Sequence, residues 1–152
     1  MNDNQLKLSS QVCFPLYSAS RLITKAYKPY LDEMGITYPQ YLVLLVLWEN
    51  DGLSVNQITE KLLLNTNTLS PLLKRMEKME FLQRTRSSED ERSVIVQLTE
   101  KGRRLKEQAK PIPEKLIKIL LSENIDVSDV IQMKEVLNDW ITTLTENNKT
   151  KE

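Results

Sequence analysis

Cys13 is the one thiol in the chain, set in the run Val12-Cys13-Phe14-Pro15-Leu16-Tyr17. A reachable cysteine held as thiolate attacks a peroxide and becomes a sulfenic acid. No second cysteine can resolve that sulfenate within the chain. It would turn to a low-molecular-weight thiol, to Cys13 of another subunit, to a backbone nitrogen, or to further oxidation. A plainer reading also fits: Val12, Phe14 and Leu16 are the apolar setting of an inert, packed thiol. A thiol peroxidase would need a cation at the sulfur. Arg21 and Lys25 are the near ones, and the helical pattern that follows does not suit the α/β scaffold of such enzymes. The chain has no histidine, which excludes His-based catalysis, His–metal sites and Ser-His-Asp triads. It also lacks a phosphate loop, zinc-ligand spacing and paired catalytic carboxylates, so no enzyme, metal or cofactor is expected.

The second candidate chemistry is phosphate contact. Net charge is zero, but it is unevenly spread. Between Lys74 and Lys106 ten Lys/Arg face six Asp/Glu, a local +4; between Leu121 and Glu152 three Lys face seven Asp/Glu, a local −4. A basic middle and an acidic tail point to one phosphate-facing surface rather than a general polyelectrolyte.

The elements around these residues can be read from caps and periodicity. Gln11 to Lys28 has a helical period, with Pro15 marking its start or a bend. Thr37-Tyr38-Pro39-Gln40 opens a helix that runs to about Glu49 and stops at Asn50-Asp51-Gly52. Ser54-Val55-Asn56-Gln57 is a second capping box, for a helix ending near Leu63. Asn65, Thr66, Asn67 and Thr68 offer caps for the next helix, ending near Met79. A cap at Asn67 or Thr68 would best spare it the lost hydrogen bond at Pro71. Gln83 to Arg86 and Val94 to Leu98 are β-prone, with a charged loop between them. Thr99 caps a further helix, Pro111 and Pro113 mark a junction, and Ser128 to about Leu144 is the last helix, with a fraying tail from Asn147.

Helix, strand, charged tip, strand is the layout of a winged helix-turn-helix, which places one helix in a DNA major groove and a basic loop along the backbone or in the minor groove. The expected fold is mostly α with a small β-wing. Residues 1–36 would form an N-terminal dimerisation and sensor helix, 37–106 the DNA-binding domain, and 107–152 C-terminal dimerisation helices. The long apolar stripes of the terminal helices favour a homodimer, because a two-fold reader needs two recognition helices about one DNA turn (~34 Å) apart. The longest apolar run, Tyr41 to Trp48, is too short to cross a bilayer, and MNDNQLKLSS lacks the order of a secretory signal, so no membrane association and a cytoplasmic location are expected.

With these blocks in view, the chain resembles the MarR family of dimeric winged-helix regulators, and within it the one-cysteine OhrR-like oxidation sensors. The likeness runs over roughly Gln5 to Gln108. It is carried by Val12 to Tyr17, by Thr37 to Tyr41 with Leu47-Trp48-Glu49, by Thr68 to Lys74, and by Asp90-Glu91-Arg92-Ser93 with Leu98 to Gly102. The resemblance implies a regulator, repressing in most such proteins, that senses an organic hydroperoxide or related oxidant at Cys13. It further implies that Tyr17, Tyr27 and Tyr38 surround the thiol, two of them from the partner subunit, and that double-stranded DNA with a pseudo-palindromic operator is bound. The DNA contacts would come from Asn65, Thr66, Asn67, Thr68, Ser70, Lys74, Arg75 and Lys78 on the recognition helix. Arg84, Arg86 and Arg92 would add to them on the wing, with Asp90 orienting Arg92 by an ion pair. Close OhrR proteins carry a small Asp-Ser-Gly run where this chain has Asn65-Thr66-Asn67, so the start of the recognition helix differs. A regulator of the same fold could instead answer a small aromatic ligand in the dimer cleft, with Cys13 only packing. The polar run from Asn65 to Ser70 could equally be plain helix caps, and the helix cations a solvated face.

Overall fold

The computed structural model describes residues 3–149. Two compact units divide the chain, Met1–Lys110 and Pro111–Glu152. In the first, two 3₁₀ turns (Asp3–Leu6, Leu8–Ser10) precede α1 (Cys13–Glu33), α2 (Tyr38–Glu49), β1 (Leu53–Ser54), α3 (Val55–Leu62), α4 (Thr66–Lys78), β2 (Leu82–Arg86), β3 (Val94–Leu98) and α5 (Glu100–Ala109). The second holds α6 (Ile112–Leu120) and α7 (Val127–Lys149).

Capping chemistry sets the helix starts. The Thr37 N–H donates to Gln40 Oε1 at 2.8 Å ahead of α2. Ser54 and Gln57 exchange two bonds ahead of α3, at 2.9 and 3.2 Å. Thr99 Oγ1 accepts from the Gly102 N–H at 3.1 Å to open α5. Each such cap satisfies an amide that the helix itself cannot, worth ~1 kcal/mol.

Two readings that the sequence leaves open are decided by the fold. The cap of α4 is Asn65, whose Oδ1 accepts from the Thr68 N–H at 2.8 Å, not Asn67 or Thr68. Pro71 therefore sits inside α4, and the Asn67 carbonyl goes without its helical partner. The side-chain bond of Asn65, and the packing of Leu69, Leu72 and Leu73 into the core, hold the helix in spite of that loss. Likewise α1 does not end at Lys28 but passes through Pro29 to Glu33. Lys28 and Pro29 are exposed, so backbone groups freed by the proline can face water.

The sheet is three-stranded and antiparallel, in the order β1-β3-β2. Its two-residue β1 pairs Leu53 with Val96 and Ser54 with Ile95. The hairpin runs in register from Leu82 opposite Leu98 to Arg86 opposite Val94. Leu44, Ile58, Leu69, Leu73, Met76 and Val96 are fully buried, so α2, α3, α4 and the sheet share one core. Each such side chain contributes about 1.5–3 kcal/mol of burial, which fixes α4 and the hairpin as one body.

The last helix behaves differently. Ile131, Met133, Val136, Trp140, Ile141 and Leu144 of α7 are all exposed. Val12 just before α1, and Phe14, Leu16, Tyr17 and Leu22 on it, are exposed as well. Among the described residues no helix is long and apolar enough to cross a membrane.

Candidate redox site and nucleic-acid interface

Cys13 is the first residue of α1 and is exposed. Nothing within the protomer packs it away. Tyr17 lies one turn on, and the Arg21 guanidinium stacks over its ring, 5.4 Å from the centroid. Cys13, Tyr17 and Arg21 thus share one stripe of α1, spaced by four residues.

Tyr27 and Tyr38 are found elsewhere. Their rings stand 4.9 Å apart, and both touch Tyr41, at 5.7 and 6.3 Å. Tyr41 in turn meets Trp48 edge-on at 6.3 Å. Burial raises the Tyr27 hydroxyl above its ordinary 10.0, with the neighbouring Tyr38 adding to the effect, and burial alone raises Tyr38. Tyr41 is pushed up to about 12, first by burial and then by the two other tyrosines. All three rings therefore keep their protons at neutral pH. Tyr41, not singled out from sequence, joins the cluster because it lies one helical turn from Tyr38; that spacing was its only signal.

The two halves of the expected thiol site do not meet in one protomer. Cys13 and Tyr27 are fourteen positions apart on a continuous helix, which at 1.5 Å per residue is about 21 Å. Between α1 and α2 lies a groove of about 530 Å³, lined by Arg21, Thr24, Lys28, Ile36 and Tyr38 among others.

The expected nucleic-acid contacts lie on α4 and the hairpin. Asn65, Thr66, Asn67 and Thr68 are exposed at the start of α4, and Ser70 is half-buried. Lys74, Arg75 and Lys78 are exposed along it, and Arg86 and Arg92 on the wing. Among the described residues none of these five cations has a carboxylate partner, whereas most charged residues of α5 and α6 are paired.

Two wing residues are engaged within the protomer, and the expected Asp90–Arg92 ion pair is not formed. Arg84 is turned to Glu77 of α4, its Nη2 2.7 Å and its Nε 3.1 Å from Glu77 Oε2. Asp90 makes no ion pair with Arg92; its Oδ1 accepts the Arg92 backbone N–H at 3.0 Å. A carboxylate two residues ahead reaches the main chain of a tight turn more readily than the far end of an arginine.

Asp51, read from sequence only as a helix stop, holds the base of the wing. Its Oδ1 accepts from the Gly52 N–H at 2.9 Å and the Leu98 N–H at 2.8 Å, and its Oδ2 pairs with Arg103 at 3.0 Å. Among the described residues no group of three His, Cys, Asp or Glu side chains could hold a metal.

Residues 25–109 match the family described as transcriptional regulator SarA/Rot. The chain is 46% identical over 145 residues to the organic hydroperoxide resistance transcriptional regulator of Bacillus subtilis, covering 95% of this chain and 97% of that protein. It is 38% identical over 127 residues to the transcriptional regulator SarZ of Staphylococcus aureus, covering 82% and 84%. Reduced AbfR bound to DNA, a Staphylococcus epidermidis protein, superposes with a TM-score of 0.75 at 36% identity over 96% of this chain and 98% of that one. Disulfide-formed AbfR superposes less well, at 0.60 over 91% and 96%. The chain belongs to the winged-helix transcriptional regulators of the SarA/Rot and MarR type.

Proposed function

We propose that the protein is a homodimeric repressor that binds a pseudo-palindromic DNA operator and lets go when Cys13 is oxidised by an organic hydroperoxide. The observation that carries this reading is a lone, exposed thiol in a chain that is 46% identical, nearly end to end, to an organic hydroperoxide regulator. The exposed apolar faces of α1 and α7 are the surfaces a second copy would cover, residues 1–36 and 107–152 serving as the dimerising parts and 37–106 as the DNA reader.

The chemistry is stoichiometric rather than catalytic. The Cys13 thiolate attacks the distal peroxide oxygen; an S–O bond forms, the O–O bond breaks, and the alkoxide leaves and takes a proton as the alcohol. The sulfur is oxidised by two electrons to a sulfenic acid. A low-molecular-weight thiol then displaces hydroxide, which leaves as water, and forms a mixed disulfide. Tyr17 from the same α1, and Tyr27 and Tyr38 from the partner, are hydroxyl donors suited to a thiolate, since burial holds the latter two in the protonated form. Bulk or charge added at the subunit junction shifts the two readers relative to one another and spoils their spacing on DNA. DNA is met in the cytoplasm, by the α4 N-terminus in the major groove and Arg92 in the minor groove.

The test is fluorescence anisotropy on DNA from upstream of the protein's own coding sequence, in reductant and after one equivalent of organic hydroperoxide. Tight, salt-sensitive binding that collapses on oxidation and returns with dithiothreitol supports the reading. A Cys13→Ser protein that still lets go on oxidant would sink it.

A further inference from the structure

We propose that Glu77 and Arg84 form a positioning clamp that fixes the wing against the recognition helix, and that Arg84 acts through this clamp rather than as a phosphate contact. The inference rests on the DNA-binding reading above. Glu77 lies near the C-terminal end of α4, and Arg84 in the middle of β2, the strand that leads out to the wing tip. One carboxylate makes three bonds to one residue. Glu77 Oε1 accepts the Arg84 backbone N–H at 3.0 Å, while Oε2 accepts Nε at 3.1 Å and Nη2 at 2.7 Å.

The backbone bond is the informative one. In the order β1-β3-β2, β2 is an edge strand. Arg84 faces Val96 in the ladder, yet its N–H goes to Glu77, so it points away from β3. Without Glu77 this amide would face solvent. With Glu77, the recognition helix holds the main chain of the wing arm, and the guanidinium fork sets the carboxylate's orientation. Two guanidinium N–H groups converge on Oε2 while the main-chain N–H takes Oε1, so both oxygens are held and the carboxylate plane is constrained in angle as well as distance. The pair is part-buried, with side-chain exposures of 27% for Arg84 and 36% for Glu77.

The cations around the clamp are arranged differently. Lys74, Arg75, Lys78, Arg86 and Arg92 are exposed and have no carboxylate partner among the described residues. Two residues beyond Arg84, Arg86 closes β2 toward the wing tip and is exposed. Of the six cations on α4 and the hairpin, Arg84 alone has a carboxylate partner among the described residues, which suits a part of the frame more than a part of the phosphate surface. A major-groove helix and a minor-groove tip must be held at a fixed separation to engage one DNA site together, and the clamp sits between them.

Charge and geometry make opposite predictions for one substitution. Glu77→Gln removes a negative charge beside the DNA-facing cations. If charge alone mattered, binding would tighten. If the clamp matters, operator binding weakens, because a glutamine turns an N–H₂ toward the guanidinium or gives up the backbone bond.

The experiment uses the full-length dimer and two duplexes of equal length, the protein's own upstream region and a random sequence. Wild type, Glu77→Gln, Arg84→Gln, Arg84→Lys and the double Glu77→Gln/Arg84→Gln are compared across a salt series, with thermal melts to confirm folding. Each single substitution is expected to weaken upstream-DNA binding by about tenfold, the double no more than either alone, with random-sequence affinity and the salt slope unchanged. Arg84→Lys keeps the charge but not the fork, and should behave like Arg84→Gln. The clamp is overturned if Glu77→Gln tightens binding, or if Arg84→Gln weakens both duplexes and lowers the salt slope by about one, the signature of a lost phosphate contact. It is also overturned if losses on both duplexes track a fall in melting temperature. Wild type that binds neither duplex would remove the DNA reading itself; wild type that binds while all variants match it would remove only the clamp.

Discussion

Gly102, in the first turn of α5, is packed against the Phe81 carbonyl so closely that a methyl group added at its Cα would overlap the oxygen. The same added carbon would press on Leu98 Cδ2 at 3.1 Å. The crossing is fastened on every side. The Phe81 carbonyl accepts the Thr99 N–H at 3.1 Å, Thr99 Oγ1 donates to the Glu80 carbonyl at 2.6 Å, and Trp48 Nε1 donates to the Gly102 carbonyl at 3.0 Å. Backbone cannot yield as the tip of a side chain can. Gly102→Ala should therefore cost about 2–3 kcal/mol in urea unfolding, although alanine is the better helix former. A neutral or stabilising result would mean that α5 can lift off the sheet without loss.

Local chemistry was what the sequence made legible. Thr37, Ser54 and Thr99 announced their helices because a cap and its partner lie within three residues. The wing hairpin was readable from two short β-prone runs on either side of a charged loop. The two-residue β1 was not, since Leu53 and Ser54 become a strand only by pairing with Val96 and Ile95, some forty positions away. The same limit hid the roles of Asp51 and Glu77. A carboxylate among many on a charged chain gives no sign of which distant amide it will meet. The N-cap of α4 stayed open among four residues because the cost of Pro71 stands against a cap at Asn65, and only the core packing of Leu69 and Leu73 shows what offsets that cost. At the thiol, Cys13 and Tyr17 lie one turn apart on α1, but Tyr27 lies about 21 Å further along α1 and Tyr38 opens α2, so within one protomer these residues do not gather at the sulfur.

That separation has a consequence for mixed dimers. A subunit carrying Cys13→Ser retains its tyrosines, and a subunit carrying Tyr27→Phe and Tyr38→Phe retains its thiol. If the tyrosines serve the partner's sulfur, a mixed dimer has one intact composite site. If they served their own subunit's sulfur, it would have none, and the ~21 Å of helix between Cys13 and Tyr27 argues against that arrangement. Co-expressed, differently tagged subunits should thus regain a hydroperoxide response that both parent homodimers have lost or slowed. A mixed dimer no faster than its parents would remove Tyr27 and Tyr38 from the sensing site.

Alkaline pH should weaken the fold through Tyr41. Its hydroxyl ionises near the ordinary 10.0 in the unfolded chain but at about 12 in the folded one. The folded state thus holds its proton longer, and the unfolded state releases it first. The contribution is fully present below pH 10, declines as pH rises from there, and is gone once pH has passed through 12. Urea midpoints measured across that window should fall more steeply for wild type than for Tyr41→Phe, which has no proton to lose. Parallel curves would show that other groups govern the alkaline limb.

Asp51 allows two roles of one carboxylate to be separated. Its Oδ1 serves two backbone amides, and its Oδ2 serves Arg103. The Arg103 pair is largely exposed, and pairs of that kind contribute ~0–1 kcal/mol. The Leu98 N–H is part-buried, where an unpaired amide costs about 1–3 kcal/mol. Asp51→Asn can keep Oδ1 as an acceptor and give up only the ion pair, so it should lower stability by well under ~1 kcal/mol. Asp51→Ala abandons Leu98 at the end of β3, next to the cap of α5, and should lose ~2 kcal/mol. Amide hydrogen exchange at Leu98 provides the direct check. Protection should survive in the asparagine protein and drop in the alanine one. Equal protection in both would mean that the sheet, and not this side chain, holds the base of the wing.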